Sequence, residues 1–415
     1  MDILELASEG IFRMSLENGP WVGDKYWVSH MNYVDEVKNL FDLPDKIEIQ
    51  DVTLRDGEQT PGVVFKKEEK LDIARKLDEI GLHRIEAGMP VVSAEDAEAV
   101  KAIANDGLSA KIFAFSRMVR SDIEAVLKAD VQGVSIEGPV GIPKLKQFTW
   151  PYEEVIRKAI DTIDFAKSHG LQTAFFSVDM TRAEMPFIDQ LLSKLSNETK
   201  IDSFIIVDTF GCALPEAVAY LVKHVKQIVK QPIEIHCHND FGLGTACTLA
   251  GIAAGAELAH TSINGLGERT GNASFEDVVM GLRYMYGVNL DIKFEKLFEL
   301  SKLTEKYSKF NVPANKPFIG SRAFTREAGI SVAGWAKFNL GSEPILPELV
   351  GNQHGIVMGK KSGKHSIEWK LQQLGIQAPS EKLPEILESV KQASIAKKTA
   401  IEDAEFKQIV HNVLS

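Results

Sequence analysis

From about residue 46 onward, short β-branched runs alternate with stretches that carry apolar residues at helical spacing. After the first run, for example, Leu71, Ala74, Leu77 and Ile80 mark one face of a helix. Strands that alternate with helices form a parallel sheet with right-handed crossovers, and eight such units match a closed (β/α)8 TIM barrel. The predicted strands are Lys46–Thr53, Arg84–Ala87, Lys111–Phe115, Gly133–Glu137, Gln172–Val178, Ser203–Asp208, Glu234–His238 and Leu258–Ile263.

The extent of this alternation divides the chain into an N-terminal arm (1–45), a TIM-barrel catalytic domain (46–290) and a mostly helical C-terminal subdomain (291–415). The aromatic residues of the arm are expected to pack on their own domain, and docking onto a neighbour is the alternative. An open doubly wound sheet is the alternative to the barrel, but no Gly-x-Gly-x-x-Gly turn follows the first strand. Late helices are predicted at Phe294–Tyr307, Ser366–Leu374, Ser380–Ala396 and Glu402–Leu414.

The composition excludes several classes of function. A net charge of −11 and a pI near 5.5 argue against nonspecific binding to nucleic acid or to an anionic membrane. Three cysteines without paired spacing indicate a reducing compartment and no disulfide framework. The acidic N-terminus does not resemble a signal peptide, and no apolar run is long enough to span a bilayer. A cytoplasmic location is therefore expected.

Two histidines on one predicted strand give the strongest chemical signal. His236 and His238 are two positions apart, so they share one strand face and can reach one metal ion. A pair of hydrogen-bonded core histidines is the alternative. Asp56 follows the first predicted strand and Asn272 follows the eighth, and functional groups of such barrels lie at these strand ends. Together the four residues suit a divalent cation, which is Mg²⁺, Mn²⁺, Zn²⁺ or Co²⁺.

Four motifs together resemble one family. They are Leu-Arg-Asp-Gly-Glu-Gln at 54–59, His-Cys-His-Asn-Asp at 236–240, Asn-Gly-Leu-Gly-Glu-Arg-Thr-Gly-Asn-Ala at 264–273 and Gly-Lys-Lys-Ser-Gly-Lys-His at 359–365. The chain resembles the DRE-TIM metallolyases over residues 46–376, and within them most closely the branch of 2-isopropylmalate and homocitrate synthases. The resemblance also implies a homodimer.

The resemblance implies a role for each matching residue. Arg55 would stabilise the alkoxide that forms from the ketone of a 2-oxo acid, Thr209 would bind the carboxylate of that acid, and Gln59 would lie close to the same centre. Glu86 and Ser135, at neighbouring strand ends, are expected to contact substrate. The implied metal ligands are Asp56, His236, His238 and, more weakly, Asn272.

These residue types suit carbon–carbon bond formation. Attack on a ketone builds negative charge on its oxygen, and a metal ion and a fixed guanidinium stabilise that charge most in the transition state. They serve the reverse cleavage equally well. The alternative for Arg55 is a purely structural salt bridge with Asp56 or Glu86.

The chain departs from the family pattern at three places. Val178 stands where the condensing enzymes carry a glutamate, Ser331 stands where they carry a histidine that reaches the neighbour's active site, and Cys247 replaces an asparagine. A serine is a far poorer acid–base group than an imidazole. His354 is a possible substitute for the missing imidazole, although an ordinary loop residue is the favoured interpretation.

An additional carboxylate accompanies these losses. Glu137 shares a predicted strand face with Ser135, so it is expected to enter the mouth of the barrel. There it would act as a relocated acid–base group or select a substrate with a cationic or hydroxyl-bearing tail. The alternative is that Glu137 pairs with Lys144 or Lys146.

The predicted function is a Claisen-type C-acyltransferase of amino-acid biosynthesis. It would condense an acyl-CoA, with acetyl-CoA expected, and a 2-oxo acid to a 2-hydroxy di- or tricarboxylic acid, as isopropylmalate, homocitrate and citramalate synthases do. One alternative is a metal-dependent lyase or aldolase that cleaves a 2-hydroxy acid or a 3-hydroxyacyl thioester. The other is a catalytically silent paralogue that binds a ligand.

Overall fold

The computed structural model describes residues 18–415, which form two compact units. One unit comprises residues 32–311. The other joins residues 18–31 to residues 312–415. No helix in the described part of the chain is long and apolar enough to cross a membrane.

The first unit is a closed barrel of eight parallel strands, which confirms the predicted TIM-barrel fold. Each strand pairs with the next along the chain, and the eighth pairs with the first in the register Leu258 to Glu48 through Thr261 to Asp51. This closure excludes the open doubly wound sheet. The strands are β1 Glu48–Asp51, β2 Arg84–Glu86, β3 Lys111–Arg117, β4 Gly133–Pro139, β5 Gln172–Val178, β6 Ser203–Asp208, β7 Ile233–Cys237 and β8 Leu258–Thr261.

Helices surround the barrel because each presents one apolar face to the sheet. The helix Lys67–Ile80 buries Ile73, Ala74, Leu77 and Ile80, and it ends at Gly81, whose φ of +96° suits glycine. The helices of this unit are Asp35–Lys38, Lys67–Ile80, Ala94–Ala104, Arg120–Lys128, Ile142–Phe148, Tyr152–Ser168, Met185–Glu198, Pro215–Val225, Gly244–Ala253, Phe275–Tyr284 and Leu297–Ser308.

The borders of the barrel unit differ from the borders predicted at residues 45 and 290. The helix Leu297–Ser308 belongs to the barrel unit because it packs on the helix Lys67–Ile80 and ties to it through Tyr307, whose hydroxyl donates to Asp72 Oδ2 at 2.8 Å. Before the barrel, Tyr33 donates its hydroxyl to the backbone oxygen of Tyr284 at 2.9 Å. The point where the alternation of strands and helices stops in the sequence therefore does not coincide with the end of the packed unit.

The second unit is mostly helical, with helices Gly329–Lys337, Lys364–Gln373, Leu383–Lys397 and Asp403–Leu414 around a small apolar core. Two short strand pairs accompany them, Val22–Gly23 with Tyr26–Trp27 and Thr325–Arg326 with Gly355–Ile356. The backbone nitrogen of Trp27 donates to Pro344 O at 2.8 Å, so the described part of the arm packs within this unit. Arm residues 1–17 lie outside the described residues.

Candidate active site

Three predicted metal ligands converge at the carboxyl-terminal end of the barrel. The Nε2 atoms of His236 and His238 are 3.3 Å apart, and Asp56 Oδ2 lies 3.2 Å and 3.5 Å from them. All three side chains are buried. Ligands that sit ~2.1 Å from one ion at tetrahedral or octahedral angles are about 3.0–3.4 Å from one another. The three atoms therefore fit a single divalent ion.

Local backbone geometry explains this convergence. The period of two along β7 turns both Glu234 and His236 into the barrel, and His238 continues the alternation just after the strand ends. Asp56 is in the turn after β1, where its backbone nitrogen donates to Val52 O at 2.8 Å. Ligands from the first and seventh strands meet because the barrel is closed.

Asn272 is brought to the same centre by a glycine turn. Its backbone pairs with that of His238 in an isolated antiparallel bridge. The preceding Gly271 has φ +87°, and a Cβ there would lie 1.9 Å from the backbone oxygen of Gly265. Asn272 Nδ2 donates to Asp56 Oδ2 and to Leu266 O, each at 3.1 Å, so Oδ1 is the free end of the amide. That oxygen is buried and has no hydrogen-bond partner.

The electrostatics of the cluster keep its groups in the forms that bind a cation. Burial by itself would raise the pKa of Asp56, but Arg55 and the two histidines lower that pKa well below its usual range. Burial lowers the pKa of His238 to about 4 and also lowers the pKa of His236. Near neutral pH the site therefore offers a carboxylate and two neutral imidazoles.

Arg55 is held in place and still leaves one donor group unused. Its Nε donates to Glu86, its Nη1 lies 3.6 Å from Asp56 Oδ2, and its guanidinium stacks 4.0 Å from the ring centre of Phe115. The salt bridges predicted as an alternative are thus present. Arg55 Nη2, however, is buried without a partner, on the residue that precedes Asp56 in the chain. The ion pairs therefore orient a guanidinium whose remaining nitrogen is available to a ligand.

A cavity of about 390 Å³ at the carboxyl ends of β3, β4 and β5 contains Glu137. Burial raises the pKa of Glu137, although the charges of Arg55, Arg117 and Lys144 act in the opposite direction. No ion pair between Glu137 and Lys144 or Lys146 is found in residues 18–415, and Lys144 Nζ donates to Gln147 instead. The other residues of the wall are Arg117, Met118, Val119, Pro139, Lys144, Phe148, Trp150 and Val178.

The remaining residues predicted to act at the site differ in their burial and in their hydrogen-bond partners. Ser135, on the same strand as Glu137, is buried and its Oγ has no partner. Thr209 Oγ1 accepts the backbone N–H of Asp179 at 2.7 Å, which leaves its own proton free to donate. Glu86 is buried against Arg55. Gln59 is exposed on the short 3-10 turn Gly57–Gln59.

The positions that depart from the family pattern show no replacement imidazole. Ser331 is exposed on the helix Gly329–Lys337. His354 is held within its own unit, where Nε2 contacts Glu343 and lies 3.3 Å from Trp335 Nε1. Cys247 donates its Sγ–H to Ala213 O at 3.4 Å, and burial raises its pKa to about 12. A thiol in that state is not a nucleophile at neutral pH.

A second polar layer below the metal ligands was not assigned a role from the sequence. Arg84, Glu234 and His260 point into the barrel together with Gln50 and are almost completely buried. His260 Nε2 lies 2.8 Å from Glu234 Oε2, and Nδ1 of His260 is 3.3 Å from Nδ1 of His236. The period of two along β7 and β8 is the signal that could have placed Glu234 and His260 inside.

Comparisons with known proteins agree with this geometry. The HMGL-like family matches residues 46–304, and the homocitrate synthase post-HMGL domain-like family matches residues 318–398. The homocitrate synthase AksA of Methanothermobacter thermautotrophicus is 42% identical over 94% of this chain and 98% of its own. The 2-isopropylmalate synthase of Methanocaldococcus jannaschii is 41% identical over 91% of this chain and 73% of its own.

Solved structures share the fold of the barrel. The HMG-CoA lyase of Bacillus subtilis superposes with a TM-score of 0.57 at 22% identity and covers 65% of this chain and 96% of its own. That of Pseudomonas aeruginosa gives a TM-score of 0.58 at 18% identity and covers 65% of this chain and 95% of its own. Given the family match over more than half of the sequence and these relatives, the chain belongs to the HMGL-like family, on the DRE-TIM branch of homocitrate, 2-isopropylmalate and citramalate synthases.

Proposed function

We propose that this protein is a divalent-metal-dependent acyltransferase that condenses an acyl-CoA, with acetyl-CoA expected, and a 2-oxo acid. The observation that carries the proposal is the unpaired Nη2 of Arg55 beside three converging ligand atoms. A 2-oxo acid needs both groups, because its ketone oxygen gains negative charge when a carbon nucleophile adds. The relatives named as homocitrate, isopropylmalate and citramalate synthases support the same reaction class.

The donor set fits a divalent metal ion of the Mg²⁺, Mn²⁺, Zn²⁺ or Co²⁺ type. Asp56, His236 and His238 would hold it, and the unpaired Asn272 Oδ1 would serve as the fourth protein ligand. When bound, the ion supplies Lewis-acid polarisation of the ketone and carboxylate of the oxo acid.

The residues of the chain perform the remaining steps. Arg55 donates from Nη2 to the ketone oxygen as it becomes an alkoxide, and Thr209 donates its hydroxyl proton to the carboxylate of the oxo acid. Glu86 positions Arg55, and the unpaired Ser135 Oγ faces the substrate. Preorganised donors of this kind stabilise the transition state because they need no reorganisation.

Glu137 is proposed as the base, or as the group that selects the substrate tail. In the condensation a base removes a proton from the acyl methyl group, the resulting carbanion attacks the ketone carbon, the alkoxide is protonated, and water cleaves the thioester to release CoA. Glu137 is the carboxylate in the cavity beside Arg55, and burial raises its pKa toward the range that suits a general base. Gln59, exposed near this centre, is kept as a proposed auxiliary residue.

The test of the reaction is a panel of 2-oxo acids with acetyl-CoA and longer acyl thioesters in Mg²⁺ or Mn²⁺, with release of free thiol as the readout. Thiol release that requires both an oxo acid and the metal is expected. The Asp56→Asn variant is the control, because it removes one anionic ligand and should be inactive. No oxo-acid-dependent thiol release from any pair would contradict the proposal.

Cleavage is the second candidate, because Val178 and Ser331 occupy the positions of a glutamate and a histidine of the condensing enzymes. The same metal and guanidinium can stabilise the alkoxide of a 2-hydroxy acid or a 3-hydroxyacyl thioester during cleavage. Cleavage of such compounds, with no thiol release in the condensation panel, would favour the lyase. A catalytically silent paralogue would show neither reaction.

The role of Glu137 is tested by Glu137→Gln, with Lys144→Gln as the matched variant at another lining residue of the same cavity. A base would lose turnover on every oxo acid, whereas a selectivity group would change the ranking of oxo acids. Unchanged kinetics in Glu137→Gln would remove both roles. A homodimer is proposed on the family resemblance alone, and gel filtration with light scattering tests it. A cytoplasmic location is proposed on the three cysteines without paired spacing.

A further inference from the structure

The metal ligand His236 is the end of a chain of polar groups that crosses the interior of the barrel. Its Nε2 faces Asp56 and His238, and its Nδ1 lies 3.3 Å from Nδ1 of His260. On the other side of that ring, His260 Nε2 lies 2.8 Å from Glu234 Oε2. Two imidazoles and a carboxylate therefore form one continuous hydrogen-bonded chain that ends at the proposed metal position.

The far end of this chain can only accept hydrogen bonds. Arg84, which is always protonated, donates through Nη2 to the same Oε2 of Glu234. Ser203 donates its hydroxyl to the other carboxylate oxygen. Glu234 is therefore an ion-paired carboxylate with no proton to give, so the proton between it and His260 resides on His260 Nε2.

The next question is which nitrogen of His260 donates and which accepts in this hydrogen-bonded chain, and Gln50 lies beside it. Its Oε1 accepts from Arg84 Nε, which can only donate, and this contact fixes the orientation of the amide. The opposite end, Gln50 Nε2, is a donor that lies 3.5 Å from both Glu86 Oε1 and His260 Nδ1. Because a neutral imidazole carries one proton, the proton on Nε2 leaves a lone pair on Nδ1, and a donor beside that atom is compatible with it. His260 Nδ1 is therefore the acceptor for the proton on His236 Nδ1.

From this chain we propose that His260, held by Glu234, is a positioning residue that fixes His236 in the tautomer whose Nε2 is free to bind a metal ion. The inference rests on the metal site of the proposed function and extends it by two residues that touch neither metal nor substrate. Partners that orient the imidazole ligands of metal ions commonly change metal affinity about 10–100-fold when they are removed.

The first test measures the tautomers directly in the unsubstituted protein loaded with diamagnetic Zn²⁺, because without a metal ion Asp56 Oδ2, 3.2 Å away, competes for a proton on Nε2 of His236. Long-range proton–nitrogen NMR of a ¹⁵N-histidine sample distinguishes protonated from unprotonated ring nitrogens, and His236→Asn and His260→Gln assign the two signals. We expect a proton on Nδ1 of His236 and on Nε2 of His260. A proton on Nδ1 of His260 in the loaded protein would overturn the proposal.

The second test measures Mn²⁺ binding by the loss of the free-ion EPR signal, with no substrate present. His260→Phe removes the acceptor and is expected to weaken Mn²⁺ binding about 10–100-fold. His260→Gln retains an oxygen that can accept from His236 Nδ1, so most of the affinity should return. His224→Phe is the matched control, because His224 pairs with Asp189 at 2.7 Å on the surface of the barrel.

A third variant removes the charge at the far end of the hydrogen-bonded chain while its shape stays nearly the same. In Glu234→Gln the amide oxygen keeps the position of Oε2, because Arg84 Nη2 can only donate to it, and the amide nitrogen faces Ser203 Oγ. His260 Nε2 still donates to that oxygen, but a neutral acceptor holds the proton less firmly than a carboxylate does. Mn²⁺ binding weaker than in the unsubstituted protein is expected, with a smaller loss than in His260→Phe. Mn²⁺ affinity within twofold of the unsubstituted protein in folded His260→Phe would overturn the proposal, whatever the outcome of the condensation assay.

Discussion

Two polar layers inside the same barrel differ in how fully their hydrogen bonds are satisfied. The mouth layer, at the carboxyl ends of the strands, leaves one buried atom unpaired on each of Arg55, Asp56, His238 and Asn272. The inner layer below it consists of Gln50, Arg84, Glu234 and His260, and none of its atoms is among the buried unpaired atoms of the described residues. The two layers meet at His236, which contacts both.

The difference separates groups that serve stability from groups that serve a ligand. A buried polar atom without a partner costs about 1–3 kcal/mol, so four of them in one cluster destabilise the fold considerably. Such departures from satisfied packing are expected where a ligand completes the bonding. We therefore expect the inner layer to respond to substitution with lost stability and the mouth layer with lost function.

The largest expected effect is on stability, in the inner layer. Arg84→Gln leaves Glu234 buried without its guanidinium partner, and breaking a buried ion pair in this way costs about 3–5 kcal/mol. Urea unfolding with circular dichroism measures the loss. Arg75→Gln, which breaks an exposed pair with Asp106, is the control and should change stability much less. Equal losses in the two variants would break the distinction between the layers.

The second effect is on catalysis, in the mouth layer. Arg55→Lys keeps a positive charge for Glu86 but removes the unpaired Nη2 and the planar guanidinium. Loss of one donor to a developing oxyanion typically lowers kcat about 10²–10³-fold. The unfolding free energy and Mn²⁺ affinity should change little. Full turnover, or a loss of activity that arises mainly from instability, would mean that Arg55 serves stability, as the inner layer does.

The third effect appears when the metal is added or removed. Mn²⁺ at 100 times its dissociation constant should raise the free energy of unfolding by about 2.7 kcal/mol, because it binds the folded state. His238→Ala removes one ligand of the mouth layer and should abolish this increment, whereas Ser203→Ala in the wall of the inner layer should retain it. Thermal melts with Mn²⁺ and with EDTA measure both. An increment that survives in His238→Ala would show that the ion binds elsewhere.

The last effect concerns a buried acid outside both layers. Asp51 accepts hydrogen bonds from the backbone and hydroxyl of Thr53, and burial raises its pKa to about 7. Between pH 4 and 7 the folded state therefore binds a proton that the unfolded state has released, so stability falls as pH rises through this window. The contribution is about 1 kcal/mol per pH unit, and Asp51→Asn should remove it.

Urea unfolding at pH 5 and pH 7 measures this slope in Asp51→Asn and in the unsubstituted protein. The same slope in both proteins would show that Asp51 is not the titrating group. Because Asp51 lies apart from both layers, the result also sets the size of an ordinary buried-acid effect against which the two layers are compared.

The mouth layer was largely predictable from the sequence because it follows local rules. The period of two placed His236 and His238 on one face, and the rule that functional groups follow the strands placed Asp56 and Asn272 nearby. The predicted strands all occur, with ends that differ by no more than two residues. For Arg55, a structural salt bridge and a catalytic role were given as alternatives. The structure has both the ion pairs and an unpaired nitrogen, so the sequence could not decide between them.

The inner layer and the domain borders depend on contacts between distant segments. His260 meets Gln50 only because β8 pairs with β1, and neither residue carries a local signal of that pairing. The helix Leu297–Ser308 was placed outside the barrel because its own pattern does not reveal its partner helix. The helix Gly329–Lys337 was not among the predicted helices, because glycines such as those at its first and sixth positions are more typical of loops.

The closure of β8 on β1 has a consequence for biogenesis. Asp56 is synthesised some way before the two histidines, and it reaches them only after the last strand has docked beside the first. A nascent chain that lacks the final strands presents an isolated carboxylate, which holds divalent ions weakly. Under the proposed function, tight capture of an ion would therefore require a complete ring of strands, so the metal site would form only as the barrel closes.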